Sequence, residues 1–150
     1  MAEPFSGTDT VQFRFRDDEA VDHAAVTVDA FLGQSNASAV RIEPGDDARA
    51  LLPQIGQLRL VEVNFPSFMD GRGYSSARIL REAGYTGELR AVGDVLIDQL
   101  NDLRRCGFDS FQPDQPLDAE DAARAFAVWP EVYQPAADAR IPIWAKRHGH

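Results

Sequence analysis

From Phe65 to Phe111 the chain reads FPSFMDGRGYSSARILREAGYTGELRAVGDVLIDQLNDLRRCGFDSF. Two strand-loop-helix units follow one another in this stretch. Ser75 is placed to cap a helix whose apolar face is Ile79, Leu80 and Ala83, and Gly84 stops it. Leu89–Val92 reads as a strand, and Asp94 as the cap of the next helix. That helix has Leu96, Ile97, Leu100 and Leu103 on one face and Gly107 at its end. Phe108–Phe111 is a further strand, followed by Pro113.

The same alternation extends outward. Leu58–Phe65 and Ala39–Glu43 read as strands. Between them Asp46 caps a helix through Ala48, Leu51 and Leu52, which Pro53 ends or kinks. Further upstream, Thr27–Gly33 predicts a short helix with Thr27 as N-cap, and Val11–Arg16 alternates apolar and polar residues as a half-buried strand. On the C-terminal side Leu117-Asp118 opens a helix from Ala119 to about Val128, with Asp121 in its first turn and Ala122, Ala123, Phe126 and Trp129 on its buried side. Residues 1–10 read as a frayed terminus. The tail from Tyr133 to His150 is predicted to lie across the body through Ile141, Ile143 and Trp144.

Strand and helix alternating in this way predict βαβ units, an α/β domain spanning residues 1–150 and a mainly parallel sheet. A sheet covered on both sides has nearly continuous apolar strands. Here Val40 and Ile42 alternate with Arg41 and Glu43, Val61, Val63 and Phe65 with Glu62 and Asn64, and Leu89 and Ala91 flank Arg90. One face is therefore apolar and the other polar. Right-handed crossovers repeated in one direction put every helix on the same face. The expectation is a curved, half-barrel-like sheet with helices on one face and strand order following the chain, leaving Arg41, Glu62 and Arg90 as neighbours on an uncovered face. A flavodoxin-like sheet covered on both sides is the alternative, and it has to account for those polar positions.

Composition narrows the function. The 150 residues are 44% hydrophobic and 26% charged, with a formal net charge of −9. That balance argues against a nucleic-acid surface, which needs a basic footprint. Cys106 is the only cysteine, which excludes an internal disulfide and CxxC-type zinc or iron–sulfur sites; it reads as a packing residue. His23, His148 and His150 lie in a linker and the tail, and no metal site is expected. No secretory leader is legible after Met1, and no apolar run approaches the ~20 residues of a membrane span. The sequence predicts a cytoplasmic protein without membrane contact.

Two places offer chemistry. The loop Asp70-Gly71-Arg72-Gly73, with Ser75 at the expected helix start, brings glycines, a guanidinium and free helix N–H groups together, an arrangement suited to an oxyanion such as sulfate, sulfite or phosphate. Against this stands an Asp–Arg pair closing a tight turn, with Ser75 as an ordinary cap. Arg90, inside a strand, needs a carboxylate, solvent or a ligand, because desolvating an unpaired charge costs several kcal/mol; a structural ion pair, with Glu62 or another carboxylate, is the favoured reading. Asp94 is favoured as a helix cap over a catalytic acid or base, and sequence leaves open whether it converges with Asp70. The candidate ligand-binding set is Asp70, Arg72, Gly73, Ser75, Arg90 and Asp94, with no catalytic residue assigned.

The segments VNFPSFMDGRGYSSARILRE, GYTGELRAVGDVLIDQL and RRCGFDSF closely resemble the bacterial domain-of-unknown-function family 934, with a weaker similarity back to Ala39 (AVRIEPGDDARALLP). Together they cover about half the chain and leave out the first 38 residues and the tail. Members are often labelled oxidoreductases of sulfite reduction, and their genes typically neighbour those of sulfite reductase and phosphoadenylylsulfate reductase. The resemblance implies a role in assimilatory sulfate reduction without naming a reaction. Electron transfer to sulfur requires a flavin, haem-type or iron–sulfur carrier, and this chain has neither a nucleotide fingerprint nor the cysteines for one, so no cofactor is expected. Two readings follow. In the first, an acidic accessory protein docks on sulfite reductase or another sulfate-assimilation enzyme. In the second, a small enzyme or binding protein holds a sulfur oxyanion or phosphonucleotide through the Arg/Asp loop. Unpaired sheet edges add self-association as a homodimer.

Overall fold

The computed structural model describes residues 11–33, 36–69 and 71–127. The expectations for residues 1–10, Trp129, and Ile141, Ile143 and Trp144 of the tail lie outside these residues.

Among the described residues six strands form one sheet: β1 (Phe13–Arg14), β2 (Val26–Thr27), β3 (Ala39–Ile42), β4 (Leu60–Phe65), β5 (Glu88–Gly93) and β6 (Ser110–Pro113). Their order is β1-β6-β5-β4-β3-β2. From β2 to β6 every pairing is parallel and sequential, and β1 closes the far edge antiparallel to β6. Flavodoxin-like order is thereby excluded, since no strand is inserted out of turn.

The helices are α1 (Val28–Gly33), α2 (Arg72–Glu82), α3 (Leu100–Cys106) and α4 (Ala119–Ala127), joined by 3-10 segments at Ala48–Gln57 and Ile97–Gln99. Their buried residues, among them Phe31, Leu51, Leu80, Leu103 and Ala122, share one cluster with Val40, Ile42, Val61, Val63, Phe65, Leu89, Ala91 and Phe111 of the sheet. Each large side chain buried in that layer contributes roughly 1.5–3 kcal/mol. The helical layer on one face of a sequential parallel sheet is as expected.

Local signals placed several boundaries correctly. Thr27 Oγ1 accepts from Ala30 N at 3.1 Å, Asp118 Oδ2 accepts from Asp121 N at 2.9 Å, and Gly107 ends α3 with φ 114°. The first 3-10 segment kinks at Gln54, directly after Pro53, but its cap is Asp47 rather than Asp46, which instead accepts from Glu43 N. The short strand β2 just before α1 was not anticipated.

Two expected caps are overturned. α2 begins at Arg72, so Ser75 lies inside the helix, exposed. The early start has a packing cause. A Cβ on Gly73 would stand 2.5 Å from Phe65 Cζ, so glycine lets the first turn press onto β4, and the Tyr74 ring meets Phe65 edge-on at 5.8 Å. Asp94 caps no helix. Gly93 has φ +100° with Phe65 O only 2.4 Å from where a Cβ would be, and after this turn Leu96 is still extended, so helical structure resumes at Ile97.

The polar sheet face is also buried, not open. Arg90 is 1% exposed, Glu88 2% and Glu62 5%. Val21 crosses this face on Ala39 and Leu60.

Candidate functional site

Arg41, Glu62, Arg90 and Ser110 lie in register on four adjacent strands. Neighbouring strands are about 4.8 Å apart, so charges alternating across them meet side by side. Arg41 Nη2 lies 2.8 Å from Glu62 Oε1, and Arg90 Nη1 3.3 Å from Glu62 Oε2. Arg90 Nη2 lies 2.9 Å from Glu88 Oε2, and Glu88 Oε1 meets Arg14 at 3.0 Å. The chain of contacts continues through Asp18, Arg16 and Asp109 to Arg81. Five arginines alternate with four carboxylates, so each acid lies between two cations. Burial works to raise the Glu88 carboxyl, but the Arg14 hydrogen bond and the Arg90 charge outweigh it and hold it below the ordinary value. Burial raises Asp109 against the pull of Arg81, Arg16 and the Leu89 N–H. The hydrogen bond from Arg16 holds Asp18 down to about 2. Arg90 thus has the ion-pair partner expected of it in Glu62, and a second in Glu88, two residues away on its own strand.

Of the five candidate residues that are described, Arg90 does not join the others. Asp70 lies outside the described residues. Arg72 is exposed in the first turn of α2, Gly73 is buried as a packing contact, and Ser75 faces solvent one turn in. Arg90 projects from the sheet face opposite the helices, with Glu88 and Val92 on the same side of β5, so strand alternation separates it from Arg72. At the C-terminal end of the strands Asp94 Oδ2 accepts from Phe68 N at 2.9 Å.

That contact belongs to a clamp that sequence reasoning missed. Gln99 Nε2 donates to the Phe68 carbonyl at 2.7 Å, and Gln99 Oε1 accepts from Leu96 N at 3.0 Å. Both backbone groups of Phe68 are therefore held by the loop after β5. The side chains carried there point outward: Phe68 is 44% exposed, Met69 78% and Leu96 36%. Only the Phe-Met pair in an otherwise polar loop could have signalled this. At the opposite pole, Arg81 donates to the carbonyls of Tyr85, Gly87 and Gly107 and meets Asp109, tying α2 to the N-terminal ends of β5 and β6. One end of the sheet is stitched shut, and the other presents an apolar ridge on a fixed backbone.

Beside the ridge, between α3 and α4, lies a cleft of about 580 Å³ lined by Ile97, Asp98, Asn101, Asp102, Asp121 and Arg124, among others. Arg124 is engaged with Asp121, and Asn101 Oδ1 is buried without a hydrogen-bond partner. Among the described residues no group of three or more His, Cys, Asp or Glu is arranged to hold a metal ion, and no helix is long and apolar enough to cross a membrane. Cys106 is buried, with Arg78 Nη2 3.6 Å from its sulfur.

The family model described as a bacterial protein of unknown function (DUF934) matches residues 39–144, more than half of the chain. The chain belongs to that family. The match reaches further than the resemblance legible in the sequence, taking in α4 and most of the tail, while the first 38 residues stay outside it. No curated protein and no solved structure matches the chain.

Proposed function

We propose that this member of the family is an accessory protein of assimilatory sulfate and sulfite reduction that docks on a sulfate-assimilation enzyme, with sulfite reductase the first partner to test. The observation that supports docking is the exposed ridge of Phe68 and Met69 on a backbone fixed by Asp94 and Gln99. Ordering a loop on association costs free energy, and a loop already held by side-chain hydrogen bonds avoids much of that cost. Large apolar side chains on such a scaffold are typical binding anchors. Arg90 and Asp94 are committed to ion pairs and to the clamp. The pathway rests on the family resemblance and the neighbouring genes it implies.

The test is growth of a deletion strain complemented with wild type or with Met69→Asp. The deletion is expected to fail on sulfate and on sulfite and to grow on sulfide, and Met69→Asp to behave as the deletion while accumulating normally. Growth of the deletion on every sulfur source overturns the assignment.

One observation favours a second reading, a small enzyme or binding protein for a sulfur oxyanion or phosphonucleotide. Arg72 is exposed in the first turn of α2, and the N-cap, Gly71, provides no side-chain hydrogen bond there. Calorimetric titration with sulfite, sulfate and a nucleoside bisphosphate decides it: binding lost in Arg72→Ala supports it, and no heat from any of them removes it.

A further inference from the structure

We infer that the apolar ridge and the adjoining cleft form one composite docking surface for a basic segment of a partner protein, with an aliphatic anchor on Phe68, Met69 and Leu96 and an arginine or lysine entering beside Asp98, Asn101, Asp102 and Asp121. The inference rests on the docking reading above and names the charge class of the partner.

Ridge and cleft share a single stretch of backbone. Leu96 ends the ridge, Ile97 and Asp98 begin the cleft wall, and Gln99 ties this segment to Phe68. A partner that covers one touches the other. The charge of the cleft is one-sided: three aspartates line it against Arg124, which is already engaged with Asp121. Asp102 makes an exposed contact with Arg105 at 3.9 Å, the kind of pair that holds little energy. The lining therefore has acceptors to spare. Arginine and lysine side chains are donors with no acceptor of their own, which makes them the complementary groups.

The other occupants fit less well. A second copy of the chain would bring a formal charge of −9 against the same acidic surface, and an anionic lipid surface would be repelled for the same reason. Since the internal ion-pair chain holds one more arginine than acids, that negative charge resides on the rest of the molecule.

The experiment is an amide-shift titration of the full chain with a short amphipathic Leu/Arg peptide and its Leu/Glu counterpart, followed by variants. The Leu/Arg peptide is expected to move the amides of Phe68, Met69, Asp98 and Asn101, less strongly as salt rises, and the Leu/Glu peptide to leave them in place. Met69→Asp is expected to weaken binding by at least about tenfold, as loss of a central anchor does. The double variant Asp98→Asn, Asp102→Asn should also weaken it, whereas Glu19→Gln with Asp22→Asn, an equal loss of charge elsewhere, should leave it unchanged. Equal weakening by both double variants, or shifts outside the ridge and cleft, overturns the proposal in favour of undirected charge attraction. A dimer in sedimentation that dissociates in Met69→Asp overturns it in favour of a second copy, and binding to anionic vesicles that is lost in the same variant in favour of a membrane. Sulfite reductase that co-purifies equally with wild type and Met69→Asp overturns this surface while leaving the accessory role. Peptide shifts as described, with normal growth of the deletion strain, sustain the surface and overturn the accessory role.

Discussion

Replacing Arg90 by methionine keeps most of the side-chain volume and removes the central cation of the buried ladder. Glu62 loses a contact of 3.3 Å and Glu88 one of 2.9 Å, in a place where both carboxylates are almost fully buried. Removing one partner of a buried ion pair typically costs about 3–5 kcal/mol, because the remaining charge is left uncompensated. Here neither acid is abandoned: Glu62 keeps Arg41 at 2.8 Å and Glu88 keeps Arg14 at 3.0 Å. The expected cost therefore falls near the lower end, about 3 kcal/mol. For a chain of this size that corresponds to a fall in Tm of roughly 6–12 °C. The pH dependence carries a sign. In the wild type Glu88 lies below its ordinary value, so its contribution is present above that value and is lost as pH falls through the folded pKa. Without Arg90 one of the influences holding it down is gone and burial gains weight, so the folded variant takes up a proton at higher pH. The deficit of Arg90→Met should accordingly shrink on mild acidification. Urea unfolding at neutral and mildly acidic pH measures both quantities. Adding Glu62→Leu and Glu88→Leu should restore most of the stability, because Arg14 and Arg41, whose side chains are 17% and 34% exposed, can turn to water. A single-variant cost under about 1 kcal/mol, or a deficit that grows with acid, refutes the claim that paired charge is what lets this face be buried.

Gly73→Ala places a methyl group 2.5 Å from Phe65 Cζ and 2.9 Å from Val63 Cγ1. Overpacking of that kind costs about 1–3 kcal/mol, to be read from thermal unfolding; an unchanged Tm means that α2 can move away from β4. Asp94→Ala removes the acceptor for Phe68 N, so amide exchange at Phe68 should accelerate while the core amides of β4 and β5 stay protected, with a stability loss of about 1 kcal/mol. Equal acceleration throughout would mean that Asp94 supports the whole fold. Asp18, held down to about 2 by Arg16 and Arg14, contributes stability above its ordinary value of 3.8 that is lost as pH falls toward about 2. Asp18→Asn should therefore unfold with a shallower acid dependence over that window, measured by circular dichroism.

Much of the architecture was legible because it rests on near neighbours. The period of two in Val40-Arg41-Ile42 and Val61-Glu62-Val63 separated the two sheet faces, and Arg90 in the same pattern pointed to Glu62 across one strand spacing. Caps such as Thr27 and Asp118 are bonds over three residues, which a sequence displays directly. Several residues of the candidate anion site have local roles that the sequence did not display. Gly73 serves Phe65, Ser75 sits within a helix that starts early, Arg90 pairs with Glu88 as well as with Glu62, and Asp94 has a partner 26 residues away.

The amino-acid sequence by itself thus determined the sequential parallel sheet, the side on which its helices pack, and an alternating charged face, all consequences of backbone periodicity and short-range hydrogen bonds. Tertiary structure alone decided that the charged face is buried, and that Asp94 and Gln99 hold Phe68 across 26 and 31 residues of chain to display an apolar ridge. Those outcomes depend on how loops fold back beyond the strand ends, where no period runs and the partner of a side chain is set by approach in space.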